Sequence, residues 1–338
     1  MFEIERRITA ALQAGECSHP DPVADPCKGP VIKSHTVQRK GGLSQIAEDS
    51  HVLTVKPAMK GLMESEGESW ARPVGINKAS VFPGFCEKHD TALFKPVEGQ
   101  TLPLDADHAF LLAYRAIAYE RFAKDRQVSA TELQREMDSG HPFMNQALVQ
   151  QPLRDVLFGI RMGLDDIERT KAAFDRKLMT GDRSDFHFLA VRFDSLLPLV
   201  ACTAFHVEQD FEGNEWQRLG HGDAPFDLIT LTITAFQGKA VAVLGWNGET
   251  DGPAARFAAS FRRVPDLEKA DALLRLAFVQ TDNLFLRPSW WTALGEDDQK
   301  AFVQMIMAGT PTRPRSDGAL LNDGRRLLTA GVVEMVSG

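Results

Sequence analysis

Thiols and imidazoles are the residues of this chain best suited to chemistry. Cys17, Cys27 and Cys86 fall within the first hundred residues beside His19, His35, His51 and His89, a dense supply of soft and borderline metal ligands. The most informative piece is Cys86-Glu87-Lys88-His89, because a two-residue spacer lets both side chains of a tight turn face one ion. Cys17 and Cys27 supply the other half of a tetrahedral Cys3His set, with His19 able to stand in for Cys17. Thiolates and an imidazole that enclose zinc completely make a structural site, and closing it contributes folding free energy. Ordinary packing is the competing account, since free cysteine is among the most often buried residue types. The fourth thiol, Cys202, lies in the apolar run LPLVACTAF four residues before His206. On a strand that spacing leaves the two side chains too far apart for direct contact, so Cys202 reads as a buried structural residue.

A metal staple suits the elements that must hold it. Residues 1–100 are rich in Gly, Pro, Cys and His with few long apolar runs, as expected of a small loop-rich unit. After a break at 96–103 (PVEGQTLP), Phe110, Leu111, Tyr114, Ile117, Ala118 and Phe122 recur at helical spacing, with Asp105 or Asp107 as caps. A second helical pattern runs from about residue 150 to 178, through Leu153, Leu157, Ile160, Leu164, Ile167 and Phe174, and stops near Gly181. The pattern then switches to strands at 186–193, 197–205, 226–236 and 239–246, the last two joined by Gln237-Gly238 as a hairpin. Helices follow at 266–279 and 296–307, flanking the aromatic segment RPSWW (287–291), whose Trp290 and Trp291 read as a packing wedge. The expected fold class is α+β, in three parts: a zinc-binding module over 1–100, a helical segment over 101–180, and an antiparallel sheet with C-terminal helices over 181–338.

Composition narrows the function. The 338 residues include 43% hydrophobic and 25% charged residues, an ordinary globular balance. No stretch reaches membrane-spanning length, and the leading residues lack a signal peptide's apolar core, so a cytoplasmic location is expected. The net charge of −8 disfavours nucleic acid on average. Lys28, Lys33, Arg39 and Lys40 nevertheless form an acid-free basic segment over 28–40. The chain lacks a phosphate-binding glycine loop, a dinucleotide fingerprint, His-Glu-x-x-His and the deaminase pattern, which lowers the weight of those classes.

Two motifs carry a resemblance. Ser34-His35-Thr36-Val37-Gln38-Arg39-Lys40-Gly41-Gly42-Leu43, followed by Phe85-Cys86-Glu87-Lys88-His89-Asp90, resembles a diverged HNH, or ββα-metal, treble-clef nuclease pattern. The second segment is also similar to one in a group of bacterial proteins, a similarity that implies no activity. The HNH resemblance implies a treble-clef-like module with His35 as general base, Asp90 as a ligand to Mg²⁺ or Mn²⁺, and Arg39 near the phosphate. Ser34 stands where the family has an acidic residue, Asp90 where it has histidine, and Asn77 is the candidate for its asparagine. On this reading the chain is a zinc-binding, metal-dependent endonuclease acting on nucleic acid at 28–40. The alternative is a non-catalytic recognition or scaffold protein with structural zinc and a protein partner.

Overall fold

The computed structural model describes residues 2–21, 23–55, 71–99, 104–218, 225–308 and 315–338. The protein is mixed α+β with antiparallel sheets. The chain forms two compact units that interleave along the sequence, where the pattern of motifs suggested three consecutive parts. The first comprises 1–34, 82–92 and 117–181, and the second 35–81, 93–116 and 182–338. The expected break at 96–103 lies partly outside the described residues, its first part being a 3-10 turn at Lys95–Glu98.

The second unit is organised by one eight-stranded sheet. Its strands are β2 (His51–Thr54), β3 (Arg72–Gly75), β5 (Phe186–Phe193), β6 (Leu199–His206), β7 (Leu228–Phe236), β8 (Lys239–Asn247), β9 (Leu284–Leu286) and β10 (Val332–Ser337), in the order β10-β5-β8-β7-β6-β9-β2-β3. Every neighbouring pair is antiparallel. β7 and β8 meet through Gln237-Gly238, both at positive φ, the backbone that a tight hairpin between right-twisted strands demands.

The central strands of this sheet are buried on both faces, which explains why β7 is apolar or threonine throughout. On one face Val191, Leu199, Ala201, Leu231, Ile233 and Leu244 pack with Phe257, Phe261, Leu273 and Leu276 of the helices Pro253–Arg263 and Lys269–Gln280. The wedge at 287–291 joins this core, Phe278 stacking on Phe302 at 4.3 Å and on Trp291 at 6.2 Å. On the other face Val200, Cys202 and Phe285 pack with Val37, Leu43, Ile46, Val52 and Ala116. Gly42 sits where a Cβ would lie 2.6 Å from Thr234 Oγ1 and 2.9 Å from Val37 Cγ1. Close approach to the sheet therefore accounts for one member of the glycine pair in the 34–43 motif.

The first unit contains α1 (Phe2–Gln13), strands β1 (Val31–His35) and β4 (Val81–Cys86), paired as a two-stranded sheet and in this unit but for His35 and Val81, and α2 (Glu87–Phe94) up to residue 92. To these it adds the later part of α3 (Ala106–Gln134) and the long α4 (Phe143–Thr180). An aromatic cluster anchors β4: the Phe82 ring stands edge-on to Phe85 at 6.1 Å and to Tyr119 at 5.6 Å, and lies 5.6 Å from Phe122. Among the described residues no helix is long and apolar enough to cross a membrane.

Candidate metal centre

The site is built from a strand end, a helix start and a braced loop, all in the first unit. Cys86 is the last residue of β4 and α2 begins at the next residue, so His89 falls in the first helical turn, directly above Cys86. The loop after α1 is pinned to β4 by Ser18 N–H donating to Gly84 O at 2.8 Å. Only glycine fits at residue 15, where a Cβ would lie 2.0 Å from Pro83 O, and this contact seats Cys17 beside Cys86. Asp21 turns the chain back, its Oδ1 accepting from Val23 N at 3.2 Å and Ala24 N at 2.8 Å, and so delivers Asp25 and Cys27 to the site.

The result is that three sulfurs converge on one ring nitrogen. The Sγ atoms of Cys17, Cys86 and Cys27 lie 3.2, 3.3 and 3.8 Å from His89 Nδ1, and the four ligand atoms all fall within 4.8 Å of one another. A neutral imidazole nitrogen offers one lone pair or one proton, so it cannot bond three thiols at once. Zn–S and Zn–N bonds at tetrahedral angles place sulfur and nitrogen about 3.5 Å apart, a value that the observed separations bracket. Cys17, Cys27, Cys86 and His89 can therefore hold a metal ion.

Electrostatics around the thiols are uneven. Burial, reinforced by the neighbouring thiols of Cys17 and Cys86, pushes the Cys27 thiol up to about 11. Burial also pushes Cys86 up, but backbone N–H groups of His89 and Lys28 and the other two thiols outweigh it and hold its thiol below the usual value. Cys86 is thus better prepared than Cys27 to be a thiolate, and a bound cation would draw off the remaining protons.

A second layer surrounds His89. Its Nε2 lies 3.3 Å from Asp25 Oδ2, and Asp25 is held in turn by the Lys88 ammonium, whose hydrogen bond keeps the carboxyl below its ordinary range. His19 stacks on the His89 ring, centroids 3.9 Å apart at 12°. Its Nδ1 accepts from Asp21 N–H at 3.3 Å and its Nε2 points to Asp25 Oδ2 at 4.0 Å. His19 belongs to this outer layer, and the thiol of Cys17 faces the centre. Burial, with the charge of His89, lowers the His19 pKa. Lys171, itself buried, donates to Ser18 O at 2.9 Å, and Arg121 pairs with Glu16 at 2.9 Å, bracing both sides of Cys17. A cleft of about 320 Å³ opens here between Ser18, His19, Arg121 and Lys171.

The residues expected to be catalytic are distributed differently. His35 ends β1 and belongs to the second unit, whereas Asp90 follows His89 on α2 in the first. His35 Nε2 lies 3.3 Å from Ile76 O; a carbonyl only accepts, so that nitrogen carries the proton and donates. Arg39 donates to Asn77 Oδ1 at 3.0 Å. One oxygen of Asp90 is buried with no hydrogen-bond partner. Lys28, Lys33, Arg39 and Lys40 are all exposed. Cys202 is buried in the sheet core with Thr232 Oγ1 donating to it at 3.9 Å, away from any metal-ligand group among the described residues. Asp25 was not anticipated; the one available signal was a carboxylate two residues before Cys27. Compared with protein-family models, curated proteins and solved structures, the chain matches none.

Proposed function

We propose that this chain is a zinc-stapled, treble-clef-like protein that works by recognising a partner, with the metal in a structural role. The observation that carries the structural-metal part of the reading is the convergence of three sulfurs on His89 Nδ1. Three thiolates and one imidazole suit zinc above harder cations, and four protein ligands leave no open position at which water or substrate could be activated. The order of parts supports the treble-clef likeness: a loop bearing two ligands, the paired β1 and β4 with Cys86 at the end of β4, then a helix whose first turn carries His89. The metal would contribute folding free energy to a unit assembled from three separate stretches of chain. Purified protein is expected to contain one zinc per chain by elemental analysis. Cys86→Ser and His89→Ala should each lose it and lower the melting temperature. Full metal retention in either variant removes the proposal.

A second reading, metal-dependent cleavage of nucleic acid in the HNH manner, draws its support from His35 at the end of β1, Arg39 held by Asn77, and the exposed basic residues of 28–40. It would require Mg²⁺ or Mn²⁺, hard cations that suit carboxylate ligands. Its test is nicking of plasmid DNA or structured RNA with either ion present. Activity that His35→Ala abolishes at unchanged zinc content supports it, and no cleavage under any of these conditions removes it.

A further inference from the structure

The inward side of α4 buries Leu157, Gly163, Ile167 and Phe174. The opposite side carries Met144, Leu148, Gln151, Asp155, Phe158 and Met162 at alternating steps of four and three residues, which is a single straight seam on a helix. Its apolar members are 66% (Met144), 71% (Leu148), 68% (Phe158) and 41% (Met162) exposed, on a face where a solvated helix would carry charge.

The seam is also palindromic. About Leu153, Met144 mirrors Met162, Leu148 mirrors Phe158, and Gln151 mirrors Asp155. Among the flanking residues Ala147 mirrors Gly159, both small, and Asn145 mirrors Arg161, whereas Pro152 mirrors Arg154. A two-fold axis makes residue i meet j while j meets i, which is the relation this seam satisfies.

We propose that α4 docks antiparallel on α4 of a second copy of this chain, with the two-fold axis passing between Gln151 and Asp155, level with Leu153. Leu148 then packs on the partner's Phe158 and Met144 on the partner's Met162. At the centre the amide of Gln151, which donates to Asp155 Oδ1 at 2.9 Å within one helix, faces the partner's Asp155. Complementarity at these polar positions selects a second copy over an unrelated partner: an amide donor meets a carboxylate acceptor twice, and no like charges oppose along the seam. The seam is about 27 Å long at the helical rise. An interface of roughly 1,000 Å² in total lies at the low end for specific association, so a reversible dimer in the micromolar range is expected.

Sedimentation velocity on the full chain across micromolar concentrations tests this, with far-UV circular dichroism to confirm folding. The expected result is a reversible monomer–dimer equilibrium that Leu148→Glu weakens at least about tenfold. Gln151→Glu, which sets like charges against the partner's Asp155, should weaken it too, whereas Gln151→Lys should maintain or tighten it. A chain monomeric throughout overturns the proposal, as does a dimer indifferent to Leu148→Glu and to the sign of charge at 151. A monomer that instead cosediments with anionic phospholipid vesicles also overturns it, assigning the seam to a membrane surface.

Discussion

Asp25 Oδ2 lies 3.3 Å from His89 Nε2, while the other ring nitrogen of His89 faces the three thiols. A carboxylate beyond a metal-binding histidine fixes the ring's orientation and raises its basicity. At the proposed zinc site, Asp25→Ala is therefore expected to weaken metal binding roughly ten- to a hundredfold. Competition against a chromophoric chelator reads the change, and an affinity equal to the parent's would show that Lys88 or the stacked His19 ring holds His89 without it.

The two kinds of cysteine should separate cleanly. Cys202→Ala removes a buried sulfur from the sheet core, and the small void left is expected to cost about 1 kcal/mol with metal content unchanged. Cys27→Ala should lose the metal. Denaturant melts paired with elemental analysis check both, and zinc loss in Cys202→Ala would contradict the assignment.

Gly15 controls where Cys17 sits. A methyl at this position meets the backbone of Pro83, which cannot rotate away, so Gly15→Ala should push the loop off β4. Overpacking of this kind costs about 1–3 kcal/mol. Because the displaced segment carries Cys17 of the proposed metal site, metal affinity should fall along with stability, and an unchanged affinity would show that the loop absorbs the shift before Cys17.

Asp271 gives a pH signature. It is buried in the first turn of the helix Lys269–Gln280, and its Oδ1 accepts from Leu327 N at 3.0 Å and Leu328 N at 3.1 Å. Burial pushes its carboxyl above the ordinary value, partly offset by those two donors. The folded state thus favours the neutral form. As pH rises, the unfolded chain releases this proton first, and Asp271's contribution to stability falls until its folded pKa is passed. Asp271→Asn carries no charge to penalise. The stability difference between variant and parent should move in the variant's favour as pH rises from about 4 to about 7. Thermal melts across that range check the sign, and the opposite trend would mean that the fold favours the carboxylate.

The central sheet was legible because its strands carry their own signal. FHFLAVRF is β5 at both ends as read, and the 226–236 run contains β7. The edge and short strands were not: β3 is Arg-Pro-Val-Gly and β9 has three residues, and both exist through pairing with distant neighbours that local pattern does not record. α4 begins at Phe143, earlier than the periodicity indicated, because Phe143, Met144 and Leu148 point outward and break the inward repeat. The group that can hold a metal ion was readable from the scarcity of cysteine and histidine. Asp25 was not, since one carboxylate among forty-six acidic residues stands out only once folded.

The ligand layout also bears on how the chain reaches its fold. Cys27 and His89 are 62 positions apart, and the stretch between them contributes β2 and β3 to the second unit's sheet. An ion gripping both is a cross-link in the sense that a disulfide is, and tying a loop of that length removes about 4 kcal/mol of chain entropy from the denatured ensemble. During synthesis the coordination sphere cannot close until residue 89 has left the ribosome. If the site holds its ion in the cell, metal starvation would leave nascent chains with a loose leading segment, a state open to proteolysis.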